Sequence, residues 1–115
     1  MITISSHVLD SVLGDHAQYI KIACYSILEN DSRQKLFDVT ANKQGRIAEK
    51  VNVEVGQKCE IVFHTTDYFS NQPAIPDSEQ IMDEVVVRFK VPADSDKIHI
   101  PMMLSPHSYS IWWSA

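Results

Sequence analysis

Residues 2–10, "ITISSHVLD", alternate their side chains with a period of two. That period belongs to a strand, whose successive side chains point to opposite faces, and is incompatible with the 3.6-residue period of a helix. Ile2, Ile4, Ser6 and Val8 therefore form one face, and Thr3, Ser5, His7 and Leu9 the other. The pattern recurs. "YIKIACYSIL" sets Ile20, Ile22 and Cys24 on one face, and "KCEIVFHTT" does the same with Cys59, Ile61 and Phe63. "KIHIPMML" sets Ile98, Ile100, Met102 and Leu104 against Lys97, His99, Pro101 and Met103. "KLFDVTA", "IAEKVNVEV", "EVVVRFKV" and "SYSIWWS" add further strands, with turns at "DSVLGDH" and "NKQGR". "DYFSNQ" suits a short helix with Asp67 near its start, and Pro73 and Pro76 forbid regular structure just beyond it. The reading is all-β: a two-sheet antiparallel sandwich of about eight strands with one short helix. At 115 residues it is expected to be a single domain, 1–115, with room for one core.

Charge narrows the partners. With 10 Lys and Arg against 15 Asp and Glu, the net charge is -5, and no basic cluster longer than a residue or two occurs. Nucleic acid and anionic membrane surfaces are therefore not expected partners. No apolar run approaches the roughly 20 residues that cross a bilayer. "MITISSHVLD" lacks the charged and apolar regions of a secretory signal, and a cytoplasmic location is expected. The end, "WWSA", is not a peroxisomal address. Cys24 and Cys59 lie in apolar runs without metal-ligand spacing, so they read as reduced core thiols.

The histidines sort by periodicity. His7 and His99 fall opposite the apolar faces of their strands and should point away from the core. His16 and His107 fall in turns, and His64 ends a strand before a threonine pair; these three read as solvated surface. The chain has no glycine-rich phosphate loop, no Gly-x-Ser-x-Gly elbow and no His-Glu-x-x-His helix, which removes several common enzyme classes.

Four segments together resemble the 5-hydroxyisourate hydrolase family of transthyretin-like proteins: "ISSHVLDSVLG" at 4–14, "QGR" at 44–46, "IVFHTTDYF" at 61–69 and "IHIPMMLSPHSYS" at 98–110. The resemblance implies a transthyretin-type (prealbumin-like) sandwich of two four-stranded sheets with a short helix. It also implies a homotetramer, a dimer of dimers whose opposed outer sheet faces enclose a channel. His7, Arg46 and His99 fall on the family's catalytic His, Arg and His. The implied reaction opens a cyclic amide of 5-hydroxyisourate. One neutral imidazole takes a proton from water, the other orients substrate or protonates the leaving nitrogen, and Arg46 grips the developing oxyanion. The scheme uses no metal and no cofactor.

By the same resemblance Leu9, Met103, Ser110, Trp112 and Trp113 are expected to bind the small cyclic-amide substrate, the first four facing the channel. The family's hydrolases end in Tyr-Arg-Gly-Ser, where this chain has Trp112, Trp113, Ser114 and Ala115. An arginine's charged donors are thereby exchanged for an indole, which favours a less polar ring substrate. Trp112 should wall off the channel, while Trp113 should point to the other face and pack the core's edge. Asp83 and Lys97 stand where the family often has Pro and His. "SPHSYS" is shared with transthyretin proper, so a small-ligand carrier is the alternative to a hydrolase.

Overall fold

Strand β1 (Ile2–Asp10) obeys its alternation without exception: every even-numbered residue is buried and every odd-numbered one is half-buried. The computed structural model describes residues 1–72 and 80–114, so the expectation at Pro73 and Pro76, like Ala115, lies outside the described residues. After β1 come β2 (Asp15–His16), β3 (Lys21–Ile27), β4 (Arg33–Thr40), β5 (Arg46–Val51), β6 (Lys58–Phe63) and α1 (Thr65–Ser70). The order closes with β7 (Val85–Lys90), β8 (Lys97–His99), β9 (Met102–Leu104) and β10 (Tyr109–Ile111).

Two sheets enclose the core. One is β4-β3-β6-β7, antiparallel throughout. The other is built on β1, which pairs antiparallel with β5 and β2 and parallel with β8 and β9; β10 runs antiparallel beyond β9. The sandwich is the expected one, but this second sheet is mixed, because the chain crosses between the sheets before returning beside β1. "KIHIPMML" is interrupted at Ile100 and Pro101 without losing register, since Ser5 faces His99 and Val8 faces Met102. Pro101, expected on the outer face, is buried. "IAEKVNVEV" holds its ladder only as far as Val51, and the last strand ends at Ile111, before the two tryptophans.

The interior is filled by the predicted faces, with Ile4, Val8, Ile22, Ile61, Phe63, Met102 and Leu104 fully buried. Burial of this kind is worth roughly 1.5–3 kcal/mol per large side chain. Cys24 and Cys59 are free and buried, and burial pushes their thiols up to about 12 and about 11, so both stay protonated and unreactive. Glu60 is also buried, and Arg33 and Arg88 both meet its Oε1.

Helix α1 starts two residues before the expected segment and anchors the first turn. Its buried Tyr68 donates from Oη to Asp10 Oδ2 at 2.6 Å. The other oxygen, Asp10 Oδ1, accepts from the main-chain N–H groups of Val12 and Leu13 at 2.8 and 3.1 Å. Burial and that hydrogen bond push the Tyr68 hydroxyl above its ordinary value, so it remains a donor. The tightened turn carries Gly14 at φ 70° and delivers β2 beside β1. His64, expected to be solvated, instead holds Glu84 Oε2 at 3.0 Å from its Nδ1. His107 is exposed, as expected.

Candidate functional site

The outer face of the mixed sheet carries the predicted residues in adjacent rows. His7 on β1 pairs directly with Arg46 on β5, and Ser5, two residues earlier, pairs with His99 on β8. His7 and His99 are thus diagonal neighbours across one strand boundary, roughly 8 Å apart at Cα from the strand rise and spacing. Further along, Leu9 faces Met103, and Met103 faces Ser110. Met103 and Ser110 are exposed and Leu9 is half-buried, so all three lie on the outer face with His7.

Arg46 is brought to His7 by the "NKQGR" turn. Asn42 Oδ1 accepts from the N–H groups of Gln44 and Arg46 at 2.9 and 3.0 Å, and Gly45 N–H donates to the Asn42 carbonyl at 3.0 Å. Gly45 sits at φ 68°, where a Cβ would lie 2.5 Å from the Val8 carbonyl oxygen. Only glycine admits both the positive φ and the approach to β1. The Val8 N–H closes the join by donating to the Gly45 carbonyl at 2.8 Å.

Arg46 and His99 line an open groove of ≈ 460 Å³ with Ser5, Ser6, Asn42, Ile47 and Ala48. Ser5 Oγ lies 2.8 Å from His99 Nδ1, which fixes the ring about χ2 and leaves its Nε2 free for another partner. His7 sits at the end of this arrangement and is held below the ordinary histidine value of 6.5. Desolvation is the largest cause, followed by the charges of Arg46, His16 and His99, while a backbone hydrogen bond to Gln44 pulls upward. The imidazole of His7 is therefore neutral at neutral pH.

One member of the cluster was not legible beforehand. His16, read as a solvated turn residue, belongs to β2, where it pairs with Leu9. Its Nδ1 lies 3.1 Å from His7 Nε2, with the rings 5.2 Å apart and tilted by 40°. The only sequence signal was a histidine two residues after a turn glycine, which carries no information about β1. Among the described residues, no group of three or more His, Cys, Asp or Glu side chains is placed to hold a metal ion.

The tail continues the register of β10, with Ser114 opposite His99 as Ile111 is opposite Met102. Ser114 bridges His99 through paired backbone bonds of 2.8 and 2.9 Å, extending the sheet past β10. Between β10 and that bridge lie Trp112 and Trp113. Both line one groove of ≈ 400 Å³ at the edge of the sandwich, with Val87 and Phe89 of β7 and with Ile98, Ile100 and Ile111. They are 51% and 61% exposed, so neither indole closes the core.

The protein is a β sandwich that gathers imidazoles and a guanidinium on one outer sheet face, above a closed core. Within that class the chain belongs to the HIUase/Transthyretin family, which it matches over residues 4–113. It is 34% identical to 5-hydroxyisourate hydrolase 2 of Rhizobium meliloti strain 1021 over 113 residues, 95% of this chain and 92% of that protein. The Klebsiella pneumoniae 5-hydroxyisourate hydrolase structure superposes over 100% of both chains with a TM-score of 0.79 at 21% identity. Sea bream transthyretin in complex with thyroxine superposes with a TM-score of 0.80 at 18% identity, over 96% of this chain and 93% of that one. At such identities the two structures establish the fold alone.

Proposed function

We propose that the chain is a cyclic-amide hydrolase of the 5-hydroxyisourate type, acting in purine breakdown in the cytoplasm as a single transthyretin-like domain. The observation that carries this reading is the juxtaposition of His7, Arg46 and His99 on one outer face by direct strand pairing. His7, kept neutral because its proton affinity is held below the ordinary histidine value, is the ring that ends up holding the proton lost by water. Arg46 offers a planar pair of donors to the oxyanion as the ring carbonyl becomes tetrahedral. His99, oriented by Ser5, protonates the departing nitrogen. Leu9, Met103 and Ser110 shape the neighbouring surface, and Trp112 and Trp113 set the preference among ring substrates.

We propose further that the working form is a homotetramer, a dimer of dimers. The reading is supported by β7 and β10, which are the free edge strands on the same side of the sandwich and flank the apolar groove of the two indoles. It is supported also by Met103 and Tyr109 on the mixed sheet and Trp112 just beyond it, large apolar side chains left exposed.

The direct test is the spectroscopic decay of freshly generated 5-hydroxyisourate, which the protein is expected to accelerate. An unchanged decay rejects this substrate. The combined substitution W113R, S114G and A115S then asks whether the tail withholds the reaction, and a gain of turnover would make the tail the determinant of a related ring substrate. The second reading, a small-ligand binder without turnover, is favoured by the two exposed indoles beside one groove. Ligand binding with no hydrolysis by either form would select it. Sedimentation of the protein checks the tetramer.

A further inference from the structure

His16 is not accounted for by the reaction as derived. It reaches His7 because of three linked features of the fold. Tyr68 and Asp10 close the turn after β1. Gly14 N–H donates to the Asp10 carbonyl at 2.9 Å. The returning chain then pairs His16 with Leu9, the outer-face residue adjacent to His7 along β1. Diagonal cross-strand neighbours are within reach for ring side chains, and the 3.1 Å separation of His7 Nε2 from His16 Nδ1 is a hydrogen bond.

We propose that His7 and His16 act as one base with a single shared proton, His16 donating its Nδ1–H to His7 Nε2. The assignment deepens the hydrolase reading and, for its catalytic part, rests on it. A nitrogen pair at hydrogen-bond distance accommodates one hydrogen; two imidazolium rings would point two N–H groups at each other. In this assignment the other His7 proton lies on the side of the Gln44 backbone, an influence that raises the proton affinity of the ring. With Nε2 turned to His16, the donating nitrogen is Nδ1, and Nε2 carries the lone pair. In the reaction, His16 Nε2 takes a proton from water as its Nδ1 proton passes to His7 Nε2. One hydroxide, one neutral His16 and one imidazolium at His7 result, and the charge balances. The groups facing the pair are Arg46 from β5, His99 from β8 and Asp15 beside His16, whose Oδ1 accepts from the His16 N–H at 2.7 Å. Arg46 opposes a second positive charge, which reinforces the one-proton limit.

The test uses the whole protein with ¹⁵N-labelled histidine and follows both rings by long-range proton–nitrogen NMR from pH 5 to 8. The expected result is one proton taken up by the pair and a neutral His7 in the Nδ1–H tautomer. His16→Asn places an amide donor where Nδ1 stood and is expected to keep that tautomer; His16→Phe is expected to lose it. Both substitutions are expected to lower kcat/KM toward 5-hydroxyisourate by about tenfold or more. In His16→Phe the ratio of kcat/KM at pH 6 to that at pH 8 should also fall. Two independently titrating rings, or a His16→Phe variant with unchanged kcat/KM and pH profile, would overturn the proposal. If the wild type leaves 5-hydroxyisourate decay unchanged while NMR finds the shared proton, the reaction falls and the pair stands.

Discussion

The two ends of the mixed sheet are held in contrasting ways. At the β1–β5 end, Arg46 and His7 are fixed by direct pairing, by the Asn42-anchored turn and by a glycine pressed against β1. At the β9–β10 end, the chain leaves its ladder after Ile111, and two half-exposed indoles hang beside a groove, tied down beyond them by the Ser114 bridge. Under the proposed function, the difference separates two tasks. Proton transfer tolerates little positional error, and it sits where backbone bonds over-determine the geometry. Ligand preference tolerates adjustment, and it sits where apolar contacts can rearrange.

Removing chemistry from the outer face that joins the two ends should have the largest effect. His99→Ala is expected to reduce 5-hydroxyisourate turnover by about 10²–10⁴-fold. Its melting temperature should change little, because the half-buried ring contributes a single side-chain hydrogen bond, to Ser5. A loss of activity accompanied by unfolding would erase the distinction between chemistry and scaffold. Next comes the turn itself. Gly45→Ala combines a positive φ with a collision against the Val8 carbonyl, and is expected to cost about 3 kcal/mol of stability in urea denaturation. A midpoint equal to that of the wild type would show that the β1–β5 join is no more constrained than the tail.

The tail should respond more gently. Replacing both Trp112 and Trp113 by alanine is expected to cost less than about 1 kcal/mol, since both are largely exposed. It should alter KM more than kcat. A collapse of kcat instead would place the indoles in the chemical step.

The smallest effect is that of pH. His7 has its folded value lowered below 6.5, chiefly by burial, so the unfolded chain binds the extra proton first. The stability this group contributes is present above pH 6.5 and lost as pH falls through the lower folded value. Urea midpoints at pH 7.5 and 5.5 should differ in that direction, and His7→Gln should reduce the difference. A steeper loss in His7→Gln would assign the slope to another group.

Much of this molecule could be read before any coordinates, for a simple reason. Strand faces are encoded locally, because each residue's side is fixed by its neighbours two positions away. The burial of Ile4 and Val8 and the outward placement of His7 follow from that, as do the buried faces of β6 and β8. The α1 start and the end of β5 were less legible, since a polar run gives no sharp boundary. Pro101 was misplaced because alternation says nothing about what covers an outer face. His16 carried no usable signal, as a lone polar residue after a turn is compatible with solvent or with a partner.

The sequence by itself settled which residues of the alternating strands form the core faces, that a turn lies at "NKQGR", and that the thiols belong inside. Only the tertiary structure decided that His7, His16, Arg46 and His99 meet. They come from four strands separated by up to 92 positions along the chain, His7 to His99. Their proximity depends on register between those strands, and register is a long-range outcome of core packing and backbone pairing that no local pattern encodes.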